Sequence, residues 1–278
     1  MPTKPRSIVL DLYGDYLQYT AGEAKLAALV KLLSAFDIES ASARMTLSRL
    51  KKQGWFETRR DGRETIYTLT DTMMRILTDG RSRIFNRQEE PWDGNWTMVL
   101  YQVPESERAS REALRKNLAW MGFGQLSSSN WLAAHDRMDE ARSLSSEHPD
   151  AIIDAFWTRT GSMKKDRDLA RRCWDLETLA EDYRQFIKKY QAMGNAKFIK
   201  DTKGPRALAL RTLLVGDARR FTFRDPQLPL ELQPNDWPGR EAYELFRHLH
   251  SELGPEARTY VESITGAKVN ATPPRPGN

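Results

Sequence analysis

The sequence predicts an α+β chain of three successive modules, and three observations lead there. Three helical patterns followed by a two-stranded hairpin occupy residues 1–87. Short β-rich and helical stretches in the order β-α-β-β-α-β fill residues 88–162, and helical periodicity dominates residues 163–266. With 278 residues the chain exceeds one typical domain, and 40% hydrophobic with 29% charged residues is an ordinary globular balance. The single cysteine, Cys173, excludes an intramolecular disulfide framework and a cysteine-rich zinc site. The first apolar run, Ile8 to Leu10, is cut at once by Asp11, unlike the core of a signal peptide. Even the most apolar window, Ala207 to Val215, carries Arg211 in its middle and falls far short of the ~20 residues a bilayer requires. A cytoplasmic protein with no membrane partner is expected.

Charge placement says more than its total. The net charge is +5, and residues 1–87 alone hold 15 Lys+Arg against 10 Asp+Glu, which leaves the rest of the chain neutral. A basic module on a neutral body suits a chain in which one part meets a polyanion.

The first helical pattern runs from about Arg6 to Tyr19, with Ile8, Leu12 and Tyr16 on one face. The second, Ala24 to Phe36, carries the stripe Leu26, Leu29, Val30, Leu33 and Phe36. The third, Ser40 to Gly54, has Ser40 as N-cap candidate and Gly54 where a C-cap glycine would end it. Its Ala43, Leu47 and Leu50 should pack inward, leaving Ser42, Arg44, Met45, Thr46, Ser48, Arg49 and Lys52 turned wholly or partly outward. Arginine can bind guanine through two bonds, Ser and Thr suit bases or phosphates, and a solvated helix face is the other reading of such a set. Two β-rich runs, Trp55 to Thr70, then join around Asp61-Gly62, a hairpin signal. Arg59, Arg60 and Arg63 cluster at the tip, as in a wing lying over phosphates or entering a minor groove. Helix, helix, basic helix and basic-tipped hairpin together describe a winged helix-turn-helix that binds double-stranded DNA. Lys51, Lys52, Arg59, Arg60 and Arg63 are expected on phosphates, and the outward residues of the third helix on bases. One module covers few base pairs, so a homodimer on a palindromic site is expected.

The stretches RSIVLDLYGDYL (from Arg6), ARMTLSRLKKQGW (from Ala43), GRETIYTLT (from Gly62) and RDPQLPLELQPNDWPGREAYELF (from Arg224) resemble the PaaX family over about residues 6–255. The resemblance implies a repressor of aromatic-compound catabolism, released by an aromatic acyl-CoA thioester, phenylacetyl-CoA in the best-known case. It also implies a ferredoxin-like centre, similar to small CRISPR-associated nucleases, and a helical C-terminal domain.

The central residues agree with that order. The expected strands lie at Asn95 to Pro104, Phe123 to Leu126, Trp131 to Ala134 and Ala151 to Arg159. Helices are expected at Ser106 to Gly122, with Ala109, Ala113, Leu118 and Met121 inward, and at Met138 to Ser146. This is the ferredoxin-like β-α-β-β-α-β order. Related nucleases carry a metal-binding aspartate at the end of the first strand, where this chain reads YQVPES with Gln102 and Glu105. No carboxylate cluster, G-x-S-x-G motif or phosphate-binding glycine loop is evident, so no catalytic residue, metal or cofactor is expected. The alternative is a nucleic-acid-processing or acyl-CoA-binding enzyme that uses the winged helix for targeting. From Asp166 to Tyr190 one long helix is expected, its seam of Leu169, Cys173, Leu176, Ala180, Tyr183, Ile187 and Tyr190 serving a dimer or packing within its own domain. Cys173 is read as a small hydrophobe. An acyl-CoA effector needs cations and an apolar pocket, and the basic run Lys164, Lys165, Arg167, Arg171 and Arg172 beside Trp157 and Trp174 is the candidate. A solvated helix face is the other reading. Residues 267–278 are expected to be a disordered, proline-rich tail.

Overall fold

A computed structural model describes residues 4–20, 22–86, 91–222 and 224–270. The expected boundary at 87/88 and residues 271–278 of the expected tail lie outside the described residues, whereas residues 267–270 pack instead of trailing free: Val269 is buried in the core with Ile8 and Leu12, and the Asn270 N–H donates to the Tyr19 carbonyl at 3.1 Å. In chain order the elements are α1 (Pro5–Asp15), β1 (Glu23–Lys25), α2 (Leu26–Ser34), α3 (Ser40–Lys52), β2 (Phe56–Asp61), β3 (Glu64–Leu69) and α4 (Asp71–Phe85). There follow β4 (Trp96–Gln102), α5 (Arg108–Trp120), β5 (Gly124–Gln125), β6 (Asn130–Ala133), α6 (Met138–Glu147) and β7 (Ile152–Thr158). The chain ends in α7 (Met163–Cys173), α8 (Leu176–Tyr190), α9 (Ala196–Asp201), α10 (Gly204–Ala218), α11 (Gly239–Glu252) and α12 (Gly254–Thr265). The class is α+β.

Two compact units form rather than three. One holds residues 1–86, 186–219 and 241–278, and the other residues 87–185 and 220–240. The expected helical domain of residues 163–266 is therefore divided between them. The reason is in the apolar faces: Ala207 and Leu208 of α10 and Ala257 and Val261 of α12 belong to the same buried cluster as Ile8, Leu12, Leu29, Leu33, Leu47 and Leu50. A helix with one apolar stripe must bury it, and these C-terminal helices bury theirs on the N-terminal core.

In the first unit, the second helical pattern opens with a short strand instead. β1 pairs with β3, which pairs with β2, giving a three-stranded antiparallel sheet. Ser40 is the first residue of α3 rather than its cap, since Glu39 holds the N-cap position. Gly54 does end the segment, in the left-handed region at φ +77° that a Cβ disfavours.

Buried charge ties this unit together. Asp15 at the end of α1 is 2% exposed and accepts from Arg81 of α4 at 3.0 Å, from Arg211 of α10, and faces His250 of α11 at 3.0 Å. One turn earlier, Asp11 accepts from Arg219 Nε at 2.9 Å. Gly216 makes the approach possible, because a Cβ there would lie 2.9 Å from the Asp11 carboxylate. Burial pushes the Asp15 carboxyl upward, but Arg211, His250 and Arg81 together outweigh it and hold the group below the usual range. For Asp11 burial outweighs the attraction of Arg219, and its carboxyl is pushed up to about 6. His250 is held down to about 4, first by burial and then by the positive charge of Arg211 and Arg81, against the pull of Asp15.

In the second unit, β4 to β7 and the helices α5 and α6 follow the expected β-α-β-β-α-β order. The sheet is antiparallel, with the strands in the spatial order second, third, first, fourth. Leu114 and Leu118 of α5 point into the core beside Val99 and Trp131. Ala109 and Ala113, expected inward, are exposed instead, since Leu114 and Leu118 alone set the buried stripe. The expected long helix from Asp166 to Tyr190 is two helices. Trp174 is extended, and the Asp175 carboxylate accepts the Thr178 N–H at 3.1 Å to begin α8 afresh. The seam residues Leu176, Ala180, Tyr183, Ile187 and Tyr190 are buried within the chain itself.

Candidate nucleic-acid interface

Helix α3 divides by face. Ala43, Leu47 and Leu50 are wholly buried, as expected. At ~100° per residue, Ser42, Arg44, Met45, Ser48, Arg49, Lys51 and Lys52 fall on the other half of the cylinder, centred on Met45, Ser48 and Lys52. Arg44, Met45, Ser48, Arg49, Lys51 and Lys52 are exposed and Ser42 is half-buried. Met45 is 69% exposed, an unusual state for so apolar a side chain and one that offers a methyl-bearing contact. Thr46 is the correction: it is 7% exposed, because it lies three residues after Ala43 and four before Leu50 and so shares their inward face.

The hairpin also differs in detail. Asp61 pairs with Glu64, so the two turn residues are Gly62 and Arg63, with Gly62 at φ +58°. Arg63 stands at the apex. Arg59 and Arg60 are consecutive strand residues and project to opposite sides of the sheet. All three are exposed, but Arg59 donates to Glu23 of β1 at 3.1 Å. The residue opposing the arginines is thus Glu23 as well as Asp61. Sequence reasoning misses Glu23 because the stretch from Ala24 to Phe36 has helical spacing throughout, while the structure opens it with β1. The base of the hairpin is fixed: Phe56 and Tyr67 meet edge to face at 5.7 Å, and Phe56 lies 4.9 Å from Tyr13 of α1. Arg6 rests over Trp55 at 4.8 Å, where the hairpin leaves α3.

The residues expected to meet an effector belong to the second unit, and the structure gathers only some of them. Arg171, Arg172 and Trp174 line a cavity of about 930 Å³, together with Arg184, Pro234 and Asp236. Lys164 and Lys165 are exposed on α7 and are not among its lining residues. Arg167 donates to the Glu231 carbonyl at 2.8 Å, and Trp157, on β7, donates to Asp136 at 3.3 Å. Trp174 lies directly on the backbone of Gly124, where a Cβ would come within 2.4 Å of the indole, and it stacks with Trp96 at 6.3 Å. Gly124 thus admits an indole, not a phosphate, while Gly122 meets no side chain and serves the turn at φ +88°. Cys173 is half-buried, and burial pushes its thiol up to about 11, the opposite of an activated thiolate. Arg184 and Asp236 carried no signal in the sequence, since one sits in a mixed-charge helix and the other in a proline-framed loop. Among the described residues no group of three or more His, Cys, Asp or Glu could hold a metal ion, and no helix is long and apolar enough to cross a membrane.

Three family models cover most of the chain. Residues 4–73 match the PaaX-like protein model, residues 89–170 the PaaX protein central Cas2-like domain, and residues 174–263 the PaaX-like protein C-terminal domain. The chain belongs to the PaaX family. It is 29% identical over 279 residues to the transcriptional repressor PaaX of Escherichia coli strain K12, covering 98% of this chain and 88% of that protein. A solved structure of an uncharacterized protein from Mycobacterium tuberculosis shares the fold, with a TM-score of 0.64, 23% identity, and coverage of 92% of this chain and 98% of that one. The Gly62 to Thr70 stretch that resembles the family is the apex and second strand of the hairpin. The Arg224 to Phe246 stretch contributes Pro234 and Asp236 to the cavity.

Proposed function

We propose that this chain is a ligand-responsive transcriptional repressor that binds duplex DNA as a homodimer through a winged helix-turn-helix made of α1 to α3 and the β2–β3 hairpin. The observation that carries the reading is the division of α3: an apolar half is buried in the core, and the other half presents two arginines, two lysines, hydroxyls and a bare methionine. Arg44, Met45, Ser48 and Arg49, with Ser42 at the edge, are the base-reading set. Lys51, Lys52, Arg60 and Arg63 are the phosphate set, and Arg59 joins them only by leaving Glu23. A non-enzymatic regulator agrees with the named repressor among its relatives. The central sheet, by its strand order and its Cas2-like family match, is read as ferredoxin-like.

The finer role follows the family: control of an aromatic-compound catabolic operon from a palindromic operator in the cytoplasm, with release by an aromatic acyl-CoA or related effector. An effector that binds the non-operator state more tightly shifts the population toward it, and differential affinity is the whole of the driving force. The experiment is a gel shift of the full chain on its own upstream DNA, with free aromatic acids and their CoA thioesters. A sequence-specific complex that a thioester dissolves supports the proposal. Equal binding to operator and random DNA, or indifference to every ligand, refutes it.

A further inference from the structure

We propose that the cavity beside α8 is the effector's seat, and that Arg184, handed over from Asp236, is the group that binds the effector's anion. The proposal rests on the ligand-responsive reading above and deepens it. The ligand class is an anion, carboxylate or phosphate, joined to a flat apolar body.

The chemistry of the walls is divided. Leu176, Ala180 and Arg184 follow one another at i, i+4 and i+8, so one face of α8 offers an apolar floor that ends in a guanidinium. Trp174 supplies a flat wall whose position is set from behind by the Gly124 backbone and by Trp96. A rigid indole beside aliphatic surface suits an aromatic or acyl group. Arg171 and Arg172, both exposed, add positive charge at the end of α7, where Arg171 pairs with Asp168 at a long 3.6 Å.

The acids of the cavity explain why Arg184 acts as a switch. Asp175 is occupied in capping α8 through the Thr178 N–H. Glu177 lies in the first turn of α8, two turns from Arg184. Asp236 holds Arg184 at 2.7 Å, and Glu181 approaches the same guanidinium at 3.8 Å. Both partners of the short pair are well exposed, at 46% and 80% of their side-chain area, so the pair is weak and exchangeable. A ligand phosphate or carboxylate offers the same guanidinium a two-pronged, charge-assisted partner and displaces the aspartate. Cys173 lines the cavity as a neutral thiol, so a thioester seated there meets no nucleophile.

The test uses the full-length protein and isothermal titration with three probes: phenylacetyl-CoA, coenzyme A and phenylacetate. Arg184→Ala is expected to weaken the best probe at least tenfold. Asp236→Asn is expected to tighten it several-fold, since the competing carboxylate is gone, which a merely structural role for Asp236 would not produce. A paired Lys164→Ala, Lys165→Ala variant, outside the cavity, is expected to bind as wild type. If coenzyme A binds and phenylacetate does not, the anion is a phosphate; the reverse makes it a carboxylate. Unchanged binding in both Arg184→Ala and Asp236→Asn, a larger loss in the lysine variant, or no binding of any probe overturns the proposal. Operator release by phenylacetyl-CoA that survives Arg184→Ala overturns this seat while leaving the repressor reading intact. Arg184-dependent binding with no effect on the operator complex does the opposite.

Discussion

Replacing Arg211 with methionine should expose how much the first unit depends on its buried charges. Arg211 is 3% exposed and sends one arm to Asp15, itself 2% exposed, and another to the His250 carbonyl at 2.8 Å. Methionine keeps much of the stem's volume and removes the charge, leaving Asp15 with Arg81 and an uncharged His250. Breaking one side of a buried pair costs about 3–5 kcal/mol. At about 2–4 °C per kcal/mol for a unit of this size, a loss of roughly 6–20 °C in Tm at pH 8 is expected. The loss should be smaller at pH 5.5. Without Arg211 the repulsion that helps hold His250 near 4 is relieved, so the imidazole protonates more readily and partly replaces the missing cation. The assay is thermal unfolding followed by near-ultraviolet circular dichroism at both pH values. A Tm within about 2 °C of wild type at pH 8, or a greater loss at pH 5.5, would show that Arg211 does not stabilise Asp15 as argued. Adding Asp15→Asn to the same chain should recover part of the loss, because the orphaned charge is then gone.

Arg49→Ala should cost about 1–3 kcal/mol of operator binding and relax sequence preference in a competition gel shift; equal losses on operator and random DNA would make it a phosphate ligand. Arg60→Ala should weaken binding uniformly and lower the slope of log K against log salt by about 1, whereas Arg59→Ala should change the slope less because Glu23 already neutralises it; equal slopes would refute the distinction. A fragment of residues 1–87 should unfold below the full chain's Tm and bind operator poorly, since it lacks the α10 and α12 residues of its own core and the partners of Asp11 and Asp15; an operator affinity equal to the full chain's would contradict this. For pH, His250 drops from 6.5 to about 4, so its contribution to stability falls as pH falls through that window, while Asp11 rises from 3.8 to about 6, so its contribution falls as pH rises between those values. These slopes oppose each other, and Asp11→Asn should unmask a urea midpoint that climbs from pH 4.5 to pH 6; a midpoint that falls would be contrary to the His250 assignment, and a climb no steeper than wild type's to that of Asp11.

What could be read in the chain without its structure depended on whether the deciding contact was local. Ala43, Leu47 and Leu50 declare the buried face of α3 by spacing alone, and the same spacing, carried through consistently, would have put Thr46 with them. The central strands stood out because each is a short β-rich run bounded by turns. The break at Trp174 did not, because the seam continues in phase across it; the indole seated against Gly124 and the Asp175 cap mark the interruption. Nor did the division into two units. That rests on apolar faces separated by about two hundred residues finding each other, which periodicity does not encode.

One signal of it was present nonetheless. Arg211 lies in an apolar run and Asp11 and Asp15 lie beside Ile8, Val9 and Leu12 on a helix whose apolar residues are plainly core. A lone charge in such a place is too costly to remain unpaired, so an arginine and two aspartates without local partners require one another over distance. That requirement calls for a long-range partner, and the structure supplies it between α1 and the arginines of α10 and its C-cap. It also changes what the repressor reading asks of the molecule. Helix α3 is held by a core to which α10 and α12 contribute, so a perturbation that loosens those helices acts on the DNA-reading surface without touching it. The fragment and Arg211 experiments then probe one proposition from two sides: if the C-terminal helices complete the reading module, both must lose operator affinity together with stability, and a fragment that unfolds early yet still reads its operator separates the two.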